Sequence, residues 1–409
     1  MSKQANRTKI ILILGILSAI GPLSIDMYLP AFKNMAAALH CTQEQMGYTL
    51  SSFFLGICLG QLVNGPVLDH FGRKNVLYVG LSIYVVSSFG SAFSYTVEQL
   101  IAWRFFQAIG GSIGMVAPNA IIRETFKESE RPKILSLMIL ILGVSPILAP
   151  SLGSLLLTIT HWNIIFILLG IITLLIIFLI RSWLPEKINK HPRGPFKLDT
   201  ILTSYRSLFA EKQFLTFATA GAIGSGCIFT FVSGAPLTFL NFYHADEKQF
   251  GWIFAMVASG IIGASQFNHW VLKRFTSQQV LSFILPLQLL LGILLATLSK
   301  FGIINIQMNI FLLFCILACQ GLLFPNIISM ALQPFHEGAG AASAMMGALQ
   351  MAWGSICATL LGLLFDGTPF TMAIIMVFCA TIANVVLFII GKKYLTGRSE
   401  EFIENLSIE

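Results

Sequence analysis

Residues 163–183 read NIIFILLGIITLLIIFLIRSW, with no charged side chain before Arg181. Roughly 20 consecutive apolar residues let an α-helix cross a bilayer core, where no water can satisfy a free backbone group. The stretch is therefore read as a membrane span. Working outward from it, apolar runs bounded by charges and turn residues recur at 10–30, 45–68, 75–95, 99–122 and 134–157 on one side. On the other side they lie at 214–240, 250–272, 279–298, 306–331, 340–364 and 370–391.

Composition points the same way. Of 409 residues 56% are hydrophobic and 11% charged, where soluble domains carry about a quarter charged, too little to cover a water-facing surface. The expected fold class is an all-α polytopic membrane protein with twelve transmembrane helices, and little chain is left over for a soluble catalytic domain.

The formal charge of +7 would suit nucleic acid only if the basic residues shared one face. Here they punctuate the apolar runs, so no nucleic-acid partner is expected. Lys33, Lys248 and Lys300 fall on one side of the membrane and Arg104 within a span, while every other Lys and Arg falls on the opposite side. That asymmetry places both termini and the long middle loop in the cytoplasm. The basic start before Ile10 imitates a signal peptide, but Asp26 and Pro30 stand where a cleavage site belongs, so the segment is read as an uncleaved first span.

Seven cysteines, with no C-x-x-C among them, indicate neither a disulfide framework nor a zinc site. Cys315 and Cys319 share a helix face by spacing and read as buried thiols. No metal site or enzymatic constellation is expected, and His269 reads as a polar helix end.

The chain repeats itself. Val67-Leu68-x-x-Phe71 followed by Val76-Leu77 returns as Val271-Leu272-x-x-Phe275 followed by Val280-Leu281, and Gly114-x-x-x-Pro118-Asn119 returns as Gly321-x-x-x-Pro325-Asn326. Chance coincidence of apolar letters is the competing reading; duplication of a six-span unit explains both pairs at nearly one offset. The expected organisation is an N-terminal six-helix bundle at 1–184, a cytoplasmic linker at 185–212, a C-terminal bundle at 213–395 and a tail at 396–409. Within the linker, Leu198, Ile201, Leu202, Tyr205, Leu208 and Phe209 share one helical face. They form either a helix in the membrane interface or the plain start of span seven.

Charges inside spans are costly and tend to face a cavity or a partner, which singles out Asp26 and Arg104. Each lies about four or five residues from the outer end of its span, roughly 6 to 8 Å deep at ~1.5 Å per residue, so the two can meet at one level. A neighbouring arginine favours the carboxylate and burial disfavours it, and the balance decides where the group titrates. Two readings are open: a proton carrier, with Arg104 holding the site, or a static ion pair. Tyr28, Gln107, Asn119 and Asn326 are the polar span residues expected to line a substrate cavity.

Gly65, Asp69, Gly72, Arg73 and Lys74 form a second constellation. Asp69 stands at the electronegative end of its own helix and needs Arg73 or another helix's N-terminus as partner. A breakable contact there would latch one conformation; a topology signal alone is the alternative. The third is Gly143-x-x-Pro146-x-x-x-Pro150-x-x-Gly153, where lost helix hydrogen bonds and small residues imply a bent, closely packed span five.

Taken together, these motifs resemble the major facilitator superfamily, and within it the twelve-span drug:proton antiporters of the bicyclomycin-resistance type. Ser24-Ile25-Asp26-Met27-Tyr28-Leu29-Pro30 resembles that subfamily's first-span signature, and Arg104-Phe105-Phe106-Gln107-Ala108-Ile109-Gly110-Gly111 its span-four motif. Gly65 to Lys74 is similar to the superfamily's loop between spans two and three, and the span-five run to the antiporter motif. Departures are Leu68, His70 and Asn75 in the loop, Glu124 where Asp is expected, and Ser154 where a second glycine is expected. The resemblance implies the major facilitator fold in two six-helix bundles, a proton-handling role for Asp26, and export of small, partly apolar compounds by a monomer driven by the proton gradient with no cofactor. Uptake by symport and a non-transporting sensor are the alternatives.

Overall fold

The computed structural model describes residues 3–184, 198–335 and 339–395. Among them, twelve helices are long and apolar enough to cross a membrane: Arg7–Ala38, Gln43–Phe71, Arg73–Ala92, Val97–Thr125, Lys133–Leu157, Asn163–Trp183, Lys212–Phe242, Glu247–Val271, Ser277–Lys300, Ile306–Leu332, Gly340–Leu364 and Pro369–Ile390. They are numbered here as spans one to twelve.

Local chemistry sets their ends. Thr42 and Thr276 each accept from the backbone N–H three residues on, Gln45 and Gln279, whose side chains accept in return from the capping residue's N–H. These reciprocal capping boxes satisfy two orphan donors at the start of spans two and nine. Span one departs from the expected run ending at 30. Its first helix stops at Asp26, and after a turn and a 3₁₀ segment Leu29–Ala31 the chain resumes as Phe32–Ala38. Pro30 lacks an N–H and cannot continue an α-helical ladder, while Phe32, fully buried, anchors the continuation. Span four is likewise divided at Ser112, and span seven ends in a π-type segment, Pro236–Phe242.

The chain forms two compact units. One comprises the described residues up to Leu198 with Ala235–Ala255, the other Asp199–Gly234 with Met256 onward. In the first, a Cβ on Gly56 of span two would lie 2.5 Å from the Phe105 carbonyl oxygen of span four. In the second, a Cβ on Gly260 of span eight would lie 2.7 Å from that of Phe314 in span ten. Two helix pairs thus meet backbone to backbone, through glycines 204 residues apart, the spacing of the repeated loop motif, and carbonyls 209 apart.

Much of the expected linker lies outside the described residues. Its described end is a helix of its own, Leu198–Ala210, and span seven starts separately where the Glu211 side chain accepts from Gln213 N.

Candidate functional site

Where the first helix stops at Asp26, its last carbonyls lose their intrahelical donors. One of them, on Ser24, is taken by Arg104 Nη2 at 2.8 Å. Arg104 Nη1 donates to Gln107 Oε1 at 2.6 Å, one turn further along span four. The guanidinium also lies against three rings, with Cζ 4.4 Å from the centroid of Tyr28, 4.0 Å from Phe53 and 5.7 Å from Phe166. A planar, weakly hydrated cation suits such a seat, where ring faces supply part of what water would. Arg104 is fully buried, and its Nε has no hydrogen-bond partner among the described residues.

Span three locks this arrangement. Ser24 Oγ donates to Ile20 O at 2.6 Å, so Tyr84 Oη donates to Ser24 Oγ, also at 2.6 Å. Gln107 Nε2 donates to Ser88 Oγ at 2.8 Å, and Ser88 Oγ in turn to Tyr84 O at 2.7 Å. Thr49 Oγ1 donates to Met46 O, leaving it to accept from Tyr28 Oη at 3.0 Å.

Asp26 sits beside this network and outside it. It is 4% exposed, and among the described residues no ion pair engages its carboxyl; those present join Arg7 to Glu130 and Arg73 to Asp69 and Glu124. The Asp26 and Arg104 of the sequence expectation are therefore held by adjoining turns without a static salt bridge. One residue past Asp26, a Cβ built on Gly153 of span five would fall on the carbonyl oxygen of Met27.

The other candidates divide. Tyr28 and Gln107 are fully buried and committed to Arg104 and its partners. Asn119 is exposed. Asn326, its repeat counterpart in the second unit, is buried and donates through Nδ2 to Asn268 Oδ1 at 2.8 Å and Leu322 O at 2.7 Å. In span five, Pro146 and Pro150 lie inside one helix, Arg131–Leu157, with Gly143 half-buried and Pro150 buried. Ser154, the departure from the glycine motif, donates to Glu247 O at 2.6 Å. Sequence reasoning passed over Phe53, Tyr84, Ser88 and Phe166, and gave Ser24, quoted in the first-span signature, no role of its own. Two serines and a tyrosine on apolar runs were the visible trace of the polar ones.

In the loop after span two, Arg73 Nη2 reaches Asp69 Oδ1 at 2.6 Å, and its Nε and Nη2 reach Glu124 Oε1 at 3.0 and 2.9 Å. The substituted Glu124 thus holds Arg73 together with Asp69. Lys74 Nζ donates to Leu184 O at 3.2 Å, Gly72 takes φ +98° at the turn, and Gly65 faces open space. Arg73→Ala removes three charge-assisted hydrogen bonds whose acceptors are about half exposed. With solvent screening discounted, the expected loss is about 1 to 2 kcal/mol, read as a lower unfolding midpoint of the detergent-purified protein.

The model of the Major Facilitator Superfamily matches residues 14–359. The chain is 28% identical to a bicyclomycin resistance protein homolog of Haemophilus influenzae, over 97% of its own length and 100% of the relative's. It is 27% identical to multidrug resistance protein D of Escherichia coli (strain K12), over 89% and 91%. The crystal structure of a D-xylose–proton symporter shares the fold with a TM-score of 0.73 at 13% identity, covering 92% of this chain and 97% of that one.

Proposed function

Because the chain belongs to the major facilitator superfamily and is thus a multi-pass membrane transporter and no enzyme, we propose that it exports small, partly apolar compounds in exchange for protons by alternating access. Its setting is the bacterial inner membrane, with both termini and the middle loop cytoplasmic, and it works as a monomer without a cofactor. The names of its relatives, a bicyclomycin resistance homolog and a multidrug resistance protein, support export of foreign compounds.

The observation that carries proton coupling is a buried carboxyl group in a membrane span with no ion pair among the described residues, beside a fully buried arginine tied to the backbone two residues away. A carboxylate locked in a salt bridge would stay charged through the cycle. Asp26 is left available to take up and release a proton, while Arg104 fixes the end of its helix and supplies a positive field. Protonated Asp26 favours one facing state, and bound substrate favours the deprotonated form. The two ligands then exclude one another across the membrane, which is the thermodynamic content of antiport.

Direction is tested with inverted membrane vesicles from cells lacking their own exporters. With the vesicle interior acidified, a panel of fluorescent lipophilic compounds is added outside. Exchange predicts that at least one accumulates and is released when the proton gradient is collapsed. Gradient-driven loss of preloaded compound would instead establish symport, and binding without gradient-dependent flux a sensor.

A further inference from the structure

In the second unit, the end of span eight, the start of span nine and the end of span ten border an open pocket of about 490 Å³, lined among others by Phe275, Thr276, Ser277, Gln278, Ser329 and Gln333. By the offset of the repeated loop motif this is the counterpart of the Arg73 bridge. The chemistry there has changed. Ser277 stands 204 residues after Arg73 and Lys273 the same distance after Asp69, while Met330 and Ala331 stand 206 and 207 residues after Glu124. The large side chain that fills the first unit's site has become a serine, and both of its carboxylates are gone.

What remains is cationic and unbalanced. Lys273 and Arg274, between pocket-lining Leu272 and Phe275, are exposed and take part in no ion pair among the described residues. Lys273 Nζ only touches the Trp270 ring, 4.9 Å from its centroid. Gln213 Nε2 donates to Met330 O at 2.9 Å, and Glu211, two residues before it, accepts from Gln213 N at the start of its own helix.

The pocket also offers donors without acceptors. The capping box uses Thr276 and Gln279, leaving the first backbone amides of span nine, on Ser277 and Gln278, unbound. Independently, Gln278 is only 9% exposed and lines the pocket, yet its side-chain amide has no hydrogen-bond partner among the described residues. The Gln278 amide opens into the same space, and a helix start with free N–H groups beside two cations is suited to a phosphate. The rim identifies the source. Trp270, Leu272 and Phe275 are 68%, 42% and 54% exposed, the pairing of exposed rings with cations found at a membrane interface.

We propose that this pocket holds the phosphate of an anionic phospholipid, which supplies the negative charge that Asp69 and Glu124 supply in the first unit. The test is native mass spectrometry of the full-length protein from micelles with equal phosphatidylglycerol and phosphatidylcholine. The native chain should retain phosphatidylglycerol about fivefold or more over phosphatidylcholine. Lys273→Gln with Arg274→Gln, both on exposed side chains, and separately Ser277→Asp, should bring that ratio to near one; Lys127→Gln with Lys133→Gln, two exposed cations of the first unit, should leave it unchanged. Equal retention of the two lipids by the native chain, an equal loss in the control pair, or displacement of the lipid by equimolar inorganic phosphate would overturn the assignment.

Discussion

Asp26→Asn abolishes gradient-driven transport while leaving the protein folded and able to bind substrate. The amide matches the carboxyl in size and fits the same turn, so packing about the 4%-exposed side chain is kept, but it cannot exchange a proton. Because the native carboxyl makes no ion pair among the described residues, no cation is orphaned by the change. In proteoliposomes with an imposed pH gradient, concentrative flux should fall to the level of empty liposomes, while substrate-for-substrate exchange without a gradient persists. Undiminished gradient-driven flux would remove Asp26 from the coupling step. Loss of exchange as well would make the residue structural.

Arg104 carries the second large effect, and here stability and transport should fall together. Arg104→Ala strips the Ser24 carbonyl and Gln107 Oε1 of their donors at 2.8 and 2.6 Å and empties the space among Tyr28, Phe53 and Phe166. Opening a buried polar network and leaving a cavity in one step costs about 3 to 5 kcal/mol. Arg104→Lys separates charge from geometry: an ammonium keeps the positive field but cannot serve both acceptors while stacking on the rings. Thermal unfolding in detergent should show a large drop for Ala and a smaller one for Lys. Transport should be lost in the first and reduced at least about tenfold in the second, and native-like transport by Lys would mean that charge alone suffices.

The fold was legible because the bilayer enforces a length: every apolar run of about 20 residues marked a span, and the structure moves their ends by only a few residues, apart from span one. There the expectation of an end near Pro30 failed. A proline interrupts a helix but does not say whether the chain resumes, and the buried Phe32 that makes it resume is one apolar letter among many. Asp26 and Arg104 stood out as charges in apolar surroundings, and counting residues put them at similar depth. Depth does not give azimuth or rotamer, so whether they pair was undecidable from spacing. The ring seat was hidden for a plainer reason: Phe53 and Phe166 are two of 34 phenylalanines, and nothing local distinguishes a ring beneath a guanidinium from one facing lipid. Ser154 read as a lost glycine, and only coordinates reveal its bond to Glu247 O.

Gly153 has a mechanical consequence. With its Cα seated against the Met27 carbonyl and no room for even a methyl group, span five and the turn bearing the carboxyl are meshed without slack. No flexible side chain lies between them to absorb a displacement, so a tilt of that helix by an ångström shifts the turn by a comparable amount. Position 153 is therefore closed to tuning: selectivity can drift at neighbouring sites, but the tooth of this gear has to stay bare.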